Sequence, residues 1–161
     1  MFFTRSIPTF PVMQKATFVS KDCAHPLLLN VIALGSLFVA FHTAKMKGEA
    51  LRKLAHTAVA TSWQGMMLYS GPSDAGCGVQ LVMTALLGQT YAMLSKNKHV
   101  RTTSQMFHSL GFYWARGCGM YETDPMNAIQ IPSIYEEPEV KNQRWRVWVA
   151  HEIRLRSVLG H

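Results

Sequence analysis

Apolar residues along this chain recur at the three-to-four spacing of helices, and no segment alternates with a period of two. The most apolar run is PLLLNVIALGSLFVAF, residues 26–41. Pro26 suits a first helical turn, so the pattern predicts a helix from there to about Lys45, closed by a break at Lys47–Gly48. A second helix places Leu51, Leu54, Ala55, Ala58 and Val59 on one face and runs to about Tyr69. SGPSDAG, residues 70–76, reads as a loop, with Asp74 a candidate N-cap for a third helix. That helix carries Val79, Val82, Met83, Leu86, Leu87 and Leu94 on one stripe. Gly78 and Gly88 cost it about 1 kcal/mol each in propensity and would allow close helix approach. SKNKH, residues 95–99, is a polar break.

A fourth helix is predicted over about Thr102–Cys118, with Met106, Leu110, Tyr113 and Trp114 on one face and Gly117 and Gly119 as its stop. Residues 121–138 form a long loop holding Pro125, Pro132 and an acidic patch that begins at Glu136 and Glu137. A last helix starts at about Pro138 and reaches the chain end. The expected fold class is all-α, an array of about five helices.

The last helix contains RWRVWVAHEIRLR, residues 144–156, which crowds two Trp and four Arg around one Glu. At about 100° per residue, Trp148, Val149, Leu155 and Leu159 fall within roughly 80° of Trp145. Glu152 and Arg156 fall near the middle of that face, in the favourable i, i+4 order for an ion pair. Arg144, Arg146 and Arg154 point in three other directions. Phosphate tracking wants arginines along one side, and a membrane-surface helix wants its charges off the apolar face. The pattern therefore predicts a core wall with an internal Glu152–Arg156 pair that fixes the helix register.

Composition narrows the picture further. Apolar residues make up 48% of the 161 residues and charged residues 16%, which excludes a disordered chain and implies that some surface is covered by a partner or by more of the same chain. The net charge of +7 could serve nucleic acid, an acidic partner or an anionic membrane. Its carriers are dispersed, with Lys45, Lys47, Arg52 and Lys53 in one region, Lys96, Lys98 and Arg101 in another, and Lys141 through Arg156 in a third. No basic arm results. Cys23, Cys77 and Cys118 are odd in number and form no C-x-x-C, so buried thiols in a reducing compartment are expected. No pair of Cys or His has finger spacing with a matching second pair, so no metal site is expected in this chain. Residues 26–41 are slightly short for a membrane span and contain Asn30, Gly35 and Ser36, which favours a central core helix over a membrane segment. The opening MFFTRSIPTFPVM is broken by Arg5, Pro8 and Pro11 and lacks the apolar core of a signal peptide.

No catalytic arrangement emerges. His151–Glu152 starts an H-E-x-x-H pattern, but Leu155 stands at its last place. GPSDA, residues 71–75, follows a helix where a nucleophile elbow needs a strand. RGCGMYE places Glu122 at the last position of a G-x-G-x-x-G. Met66, Met83, Met93 and Met106 fit core gap-filling. Neither a catalytic residue nor a cofactor ligand is expected.

The R-W-x-x-W-x-x-x-E-x-x-x-R arrangement of Arg144, Trp145, Trp148, Glu152 and Arg156 resembles the fungal-specific transcription factor domain, the middle homology region of fungal zinc-finger regulators. PVMQKATF (11–18) is similar to that family's entry segment, with Gln14 where His is usual. HPLLLNVIALGSLFV (25–39) resembles its first core helix, and residues 85–121 resemble its central helix pair, closed by Trp114–Ala115–Arg116 and Gly119–Met120. The resemblance implies one partial regulatory domain over 1–161: an entry segment to residue 25, a helical core over 26–120, a loop over 121–138 and a last helix over 139–161. It implies a nuclear role in transcription of metabolic or secondary-metabolite genes by RNA polymerase II. It also implies that DNA is contacted only through a separate zinc module, and that the partner is a second copy or a transcriptional co-regulator, with no membrane involved. Zinc belongs to that module, so no cofactor is expected in this chain. The family continues with further helices beyond the matching point, so the array is expected to be incomplete at its C-terminus. The rivals are a small membrane-associated helical protein using residues 26–41, and an enzyme with a helical site that carries no recognisable motif.

An incomplete array exposes apolar faces. The isolated chain is therefore expected to self-associate or melt at low temperature in sedimentation and calorimetry, whereas a monodisperse monomer with a high Tm opposes the expectation.

Overall fold

The computed structural model describes residues 1–8, 11–16, 18–69, 76–106, 108–122, 133 and 135–160. They form α1 (His25–Ser36), α2 (His42–Met67), α3 (Val79–Leu94), α4 (Lys98–Met106), α5 (His108–Gly117) and α6 (Pro138–Leu159). A π-helical turn at Phe2–Ser6 and a 3-10 turn at Ser20–Asp22 precede α1, and a 3-10 turn at Met120–Glu122 follows α5. No strand occurs among the described residues, and the fold is all-α as the periodicity implies.

The centre of the array is α3, which packs against α1, α2, α4, α5 and α6. Twelve of its 16 residues are buried, too many for a single stripe. The predicted Val79, Val82, Met83, Leu86 and Leu87 are all inside, and so are Leu81, Ala85 and Tyr91 from the other faces. A helix buried all round must also satisfy its polar side chains. Gln80 Oε1 accepts from the Ala24 amide at 2.5 Å, and Gln80 Nε2 donates to the Asp22 carbonyl at 3.4 Å. Asn30 Nδ2 of α1 donates to the Thr84 carbonyl at 2.8 Å. These bonds fix the approach of the entry segment and the register of α1 on α3.

Residues 26–41 do not form one central helix. The helix stops at Ser36, whose Oγ donates to the Ala33 carbonyl at 2.6 Å, and the backbone is extended by Phe41. The break thus precedes the predicted one, and Lys47–Gly48 lies inside α2. Gly48 is buried because α1 and α2 cross there: an added Cβ would overlap the Ser36 hydroxymethyl group and reach the Ala33 carbonyl. The glycine that looked like a helix break is a close-packing position. The face of α2 is also rotated. Leu54 points outward, while Arg52, Ala55, Val59 and Met66 are buried. The helix bends at Ser62 (φ −136°, ψ 16°), next to Thr61, whose Oγ1 donates back to the Thr57 carbonyl at 2.9 Å. No helix among the described residues is long and apolar enough to cross a membrane.

Asp74 lies outside the described residues, and the N-cap position of α3 is Gly78, in the left-handed conformation (φ 73°). An added Cβ there would also overlap the Cys118 sulfur, so loop and α5 end meet at this glycine. The fourth predicted helix begins earlier than expected, at Lys98, because Asn97 Oδ1 accepts the amides of His99 at 3.0 Å and Val100 at 3.4 Å. α4 and α5 lie on either side of position 107. Trp114 is buried against Trp63 with ring centroids 6.0 Å apart, whereas Tyr113 and Leu110 are exposed. Gly119 (φ 63°) ends the segment as its glycines predict. Pro125 and Pro132 of the predicted loop lie outside the described residues, and α6 begins at Pro138 as expected.

Gly48→Ala should destabilise the fold by about 1–3 kcal/mol through overpacking at the α1–α2 crossing, read as a lower urea midpoint with an unchanged slope. An unchanged midpoint contradicts the crossing.

Candidate functional site: the arginine ties of the last helix

The stripe that α6 turns inward is Val149, Ile153 and Ser157. Their i, i+4, i+8 spacing centres the packed face roughly 80° from Trp145. The predicted core wall is therefore rotated. Trp145 is 44% exposed and stacks on Trp148 at 5.0 Å, and Leu159 is exposed at the end of the helix. The reason is local: the two indoles cover each other on the flank, so the narrow, small-residue stripe is free to approach α3.

The charged residues are arranged as ties. Arg144 Nη1 pairs with Glu136 Oε1 at 2.9 Å, holding the helix against the segment before it. Arg154 Nη2 donates to the carbonyls of Gly119 at 2.8 Å and Cys118 at 3.4 Å, which caps the end of α5. Arg156 Nε pairs with Glu152 Oε2 at 2.9 Å, and its Nη1 donates to the Pro11 carbonyl at 3.0 Å. The predicted i, i+4 pair exists, but both side chains keep partial solvent exposure. Its own contribution is a few tenths of a kcal/mol, and the large cost of orphaning a buried charge does not apply. Arg146 is exposed. Three of the four arginines thus hold other parts of this chain, and no stripe is left facing outward for phosphates. Arg154, which the helical wheel left without a role, makes the tie to the end of α5. Its signal in the sequence was weak because its acceptors are backbone carbonyls, which any residue carries.

A second polar centre lies between α1, α2, α3 and α4. Arg52 is 6% exposed and donates to Ser104 Oγ of α4. Burial pushes its guanidinium below the ordinary range, opposed by Tyr91. Burial and then the neighbouring Arg52 push His56 down as well, toward the neutral imidazole. Glu49, one turn before Arg52, accepts from Asn97 Nδ2 at 2.9 Å, and neither ion pair seen among the described residues involves Arg52.

The cysteines are not buried as expected. Cys77 is exposed, Cys23 and Cys118 are half-buried, and none of the three is in a disulfide. Their positions explain this: Cys77 lies just before Gly78 at the start of α3, and Cys23 and Cys118 pack against the edge of the core without being enclosed by it. Burial first and then Cys77 push the Cys118 thiol up, with Arg154 opposing, so it stays protonated and weakly nucleophilic. Among the described residues no three His, Cys, Asp or Glu side chains group as a metal site.

Fold and ties together define a helical scaffold in which Arg52, Arg144, Arg154 and Arg156 serve internal contacts. The family model described as the fungal specific transcription factor domain matches residues 1–157, and the chain belongs to that family. This is not an enzyme family. No curated protein and no solved structure matches the chain.

In a double-mutant cycle, Glu152→Ala should cost about 0.3–0.5 kcal/mol and Arg156→Ala about 1–2, since only the second also frees the Pro11 carbonyl. Arg154→Ala should cost about 1–3 kcal/mol and Arg146→Ala nearly nothing. Equal losses at Arg146 and Arg154 in thermal melts contradict the ties.

Proposed function

We propose that the chain is the regulatory, non-DNA-contacting helical domain of a fungal transcription factor. It acts in the nucleus on transcription by RNA polymerase II, and its targets are metabolic or secondary-metabolite genes. The family match over residues 1–157 carries the reading. The arginine ties support its second half, because Arg144, Arg154 and Arg156 are engaged within the chain. DNA contact belongs to a separate zinc module, and no zinc is held by this chain. Residues 1–25 serve as entry segment, 26–120 as core, 121–138 as loop and 139–161 as last helix, with Arg144, Trp145, Trp148, Glu152 and Arg156 as the family's structural signature. The partner is a second copy of the chain or a transcriptional co-regulator. Exposed apolar side chains such as Phe41, Leu68 and Leu159 give such a partner contact area. Nothing favours the membrane reading over this one: the apolar run that prompted it is split between α1 and the extended Phe41.

The test fuses the chain between an unrelated zinc-cluster DNA-binding module and an activation segment in a fungal nucleus. Reporter output should differ severalfold from the same fusion lacking the chain, at equal protein level. Equal output contradicts the regulatory role. On its own the chain should bind duplex DNA only weakly, without sequence preference and with steep loss on adding salt; a specific, salt-tolerant complex contradicts the non-contacting assignment.

A further inference from the structure

The Arg52 centre adjoins two neighbouring cavities that share lining residues. The inner one, about 20 Å³, is lined by Arg52, Asn30, His56, Gly88, Gln89 and Ser104. The outer one, about 190 Å³, shares Gln89 and Ser104 and adds Ala92, Met93, Arg101 and His108. Among the described residues around the inner cavity, Arg52 Nε and Gln89 Nε2 are buried donors without acceptors, and Asn30 Oδ1 is a buried acceptor without a donor. Leaving such groups unmatched costs about 1–3 kcal/mol each, more for the charged one. Ser104 Oγ accepts from Arg52, so its own proton is available to an acceptor. The balance is a surplus of donors around one buried positive charge.

We propose that these cavities bind a small organic carboxylate, its head on Arg52, Gln89 and Ser104 and its short carbon chain in the outer cavity. The inner space admits one oxygen-sized atom. A planar monoanion matches one guanidinium and one amide better than a dianionic tetrahedral group does. His56, held toward neutrality, adds no second charge. Asn30 Oδ1 favours a hydroxyl or ammonium next to the carboxylate. The outer cavity is small by the standards of ligand sites, which limits the carbon chain to a few atoms, and Ala92 and Met93 give it apolar walls. Arg101 and His108 stand at the exposed mouth, where a positive charge attracts an anion. The proposal rests on this geometry and does not depend on the regulatory reading.

The test titrates the isotope-labelled chain with butanoate, butan-1-ol, butylammonium and inorganic phosphate at constant ionic strength, following amide resonances. Butanoate should saturate with a Kd on the order of 1 mM and move the signals of Arg52, Gln89 and Ser104. The alcohol, the amine and phosphate should bind at least about tenfold more weakly. Arg52→Gln should weaken butanoate at least about tenfold. Because loss of a buried arginine can itself unfold the chain, Gly88→Ala is the second variant. Its added Cβ stands 3.4 Å from Asn30 Nδ2, an ordinary contact, yet it occupies the inner cavity. It should abolish butanoate binding with the helical circular dichroism unchanged. Butanoate binding no tighter than the alcohol or phosphate, or undiminished in Gly88→Ala, overturns the proposal.

Discussion

A helix surrounded on every side cannot point its polar groups at water, and α3 imposes that condition on the whole chain. Gln80 and Thr84 sit at its buried N-terminal half and must find partners inside. Gln80 does so in the entry segment, the Thr84 hydroxyl does so in the Gln80 carbonyl, and Asn30 of α1 in turn donates to the Thr84 carbonyl. Two stretches distant in sequence are thereby fixed on the central helix before any apolar contact is considered. The apolar contacts then follow, since α1, α2, α5 and α6 each have one side of α3 to cover.

The outer helices are held by a different device. α6 shows a narrow buried stripe, so its area of apolar contact is limited. Arginines compensate by donating to carbonyls and carboxylates at three separate places along the chain. A guanidinium suits this work because it carries several donors and a charge that strengthens each bond. A scaffold of this kind links its entry segment, the end of α5 and α6 in one mechanical unit. That linkage is what a regulatory domain needs if an event at one end is to be felt at another.

The all-α class, the start of α6 at Pro138, the stop at Gly119 and most of the α3 stripe were legible because each depends on local spacing or on a residue with special backbone freedom. What stayed hidden depends on partners far away in sequence. Gly48 resembled a break because its role is set by Ser36 across the α1–α2 crossing. Arg52 stood among the dispersed basic residues with nothing to set it apart, and only Ser104, on another helix, reveals why it is inside. The wheel of α6 went wrong by treating both tryptophans as core residues, although stacked indoles shield each other and leave the core to Val149, Ile153 and Ser157. Glu152 and Arg156 were readable as a pair, being one turn apart, while the Arg156 bond to Pro11 was not. The cysteines were misplaced because residue type gives only an average burial.

Amide hydrogen exchange tests most directly whether α3 organises the array. The slowest amides should be those of Leu81 to Leu87, exchanging only through global unfolding, with α4, α5 and α6 opening at lower free energy. If the amides of α3 exchange as fast as those of α2 around its Ser62 bend, α3 is not the central post and the account of the fold fails.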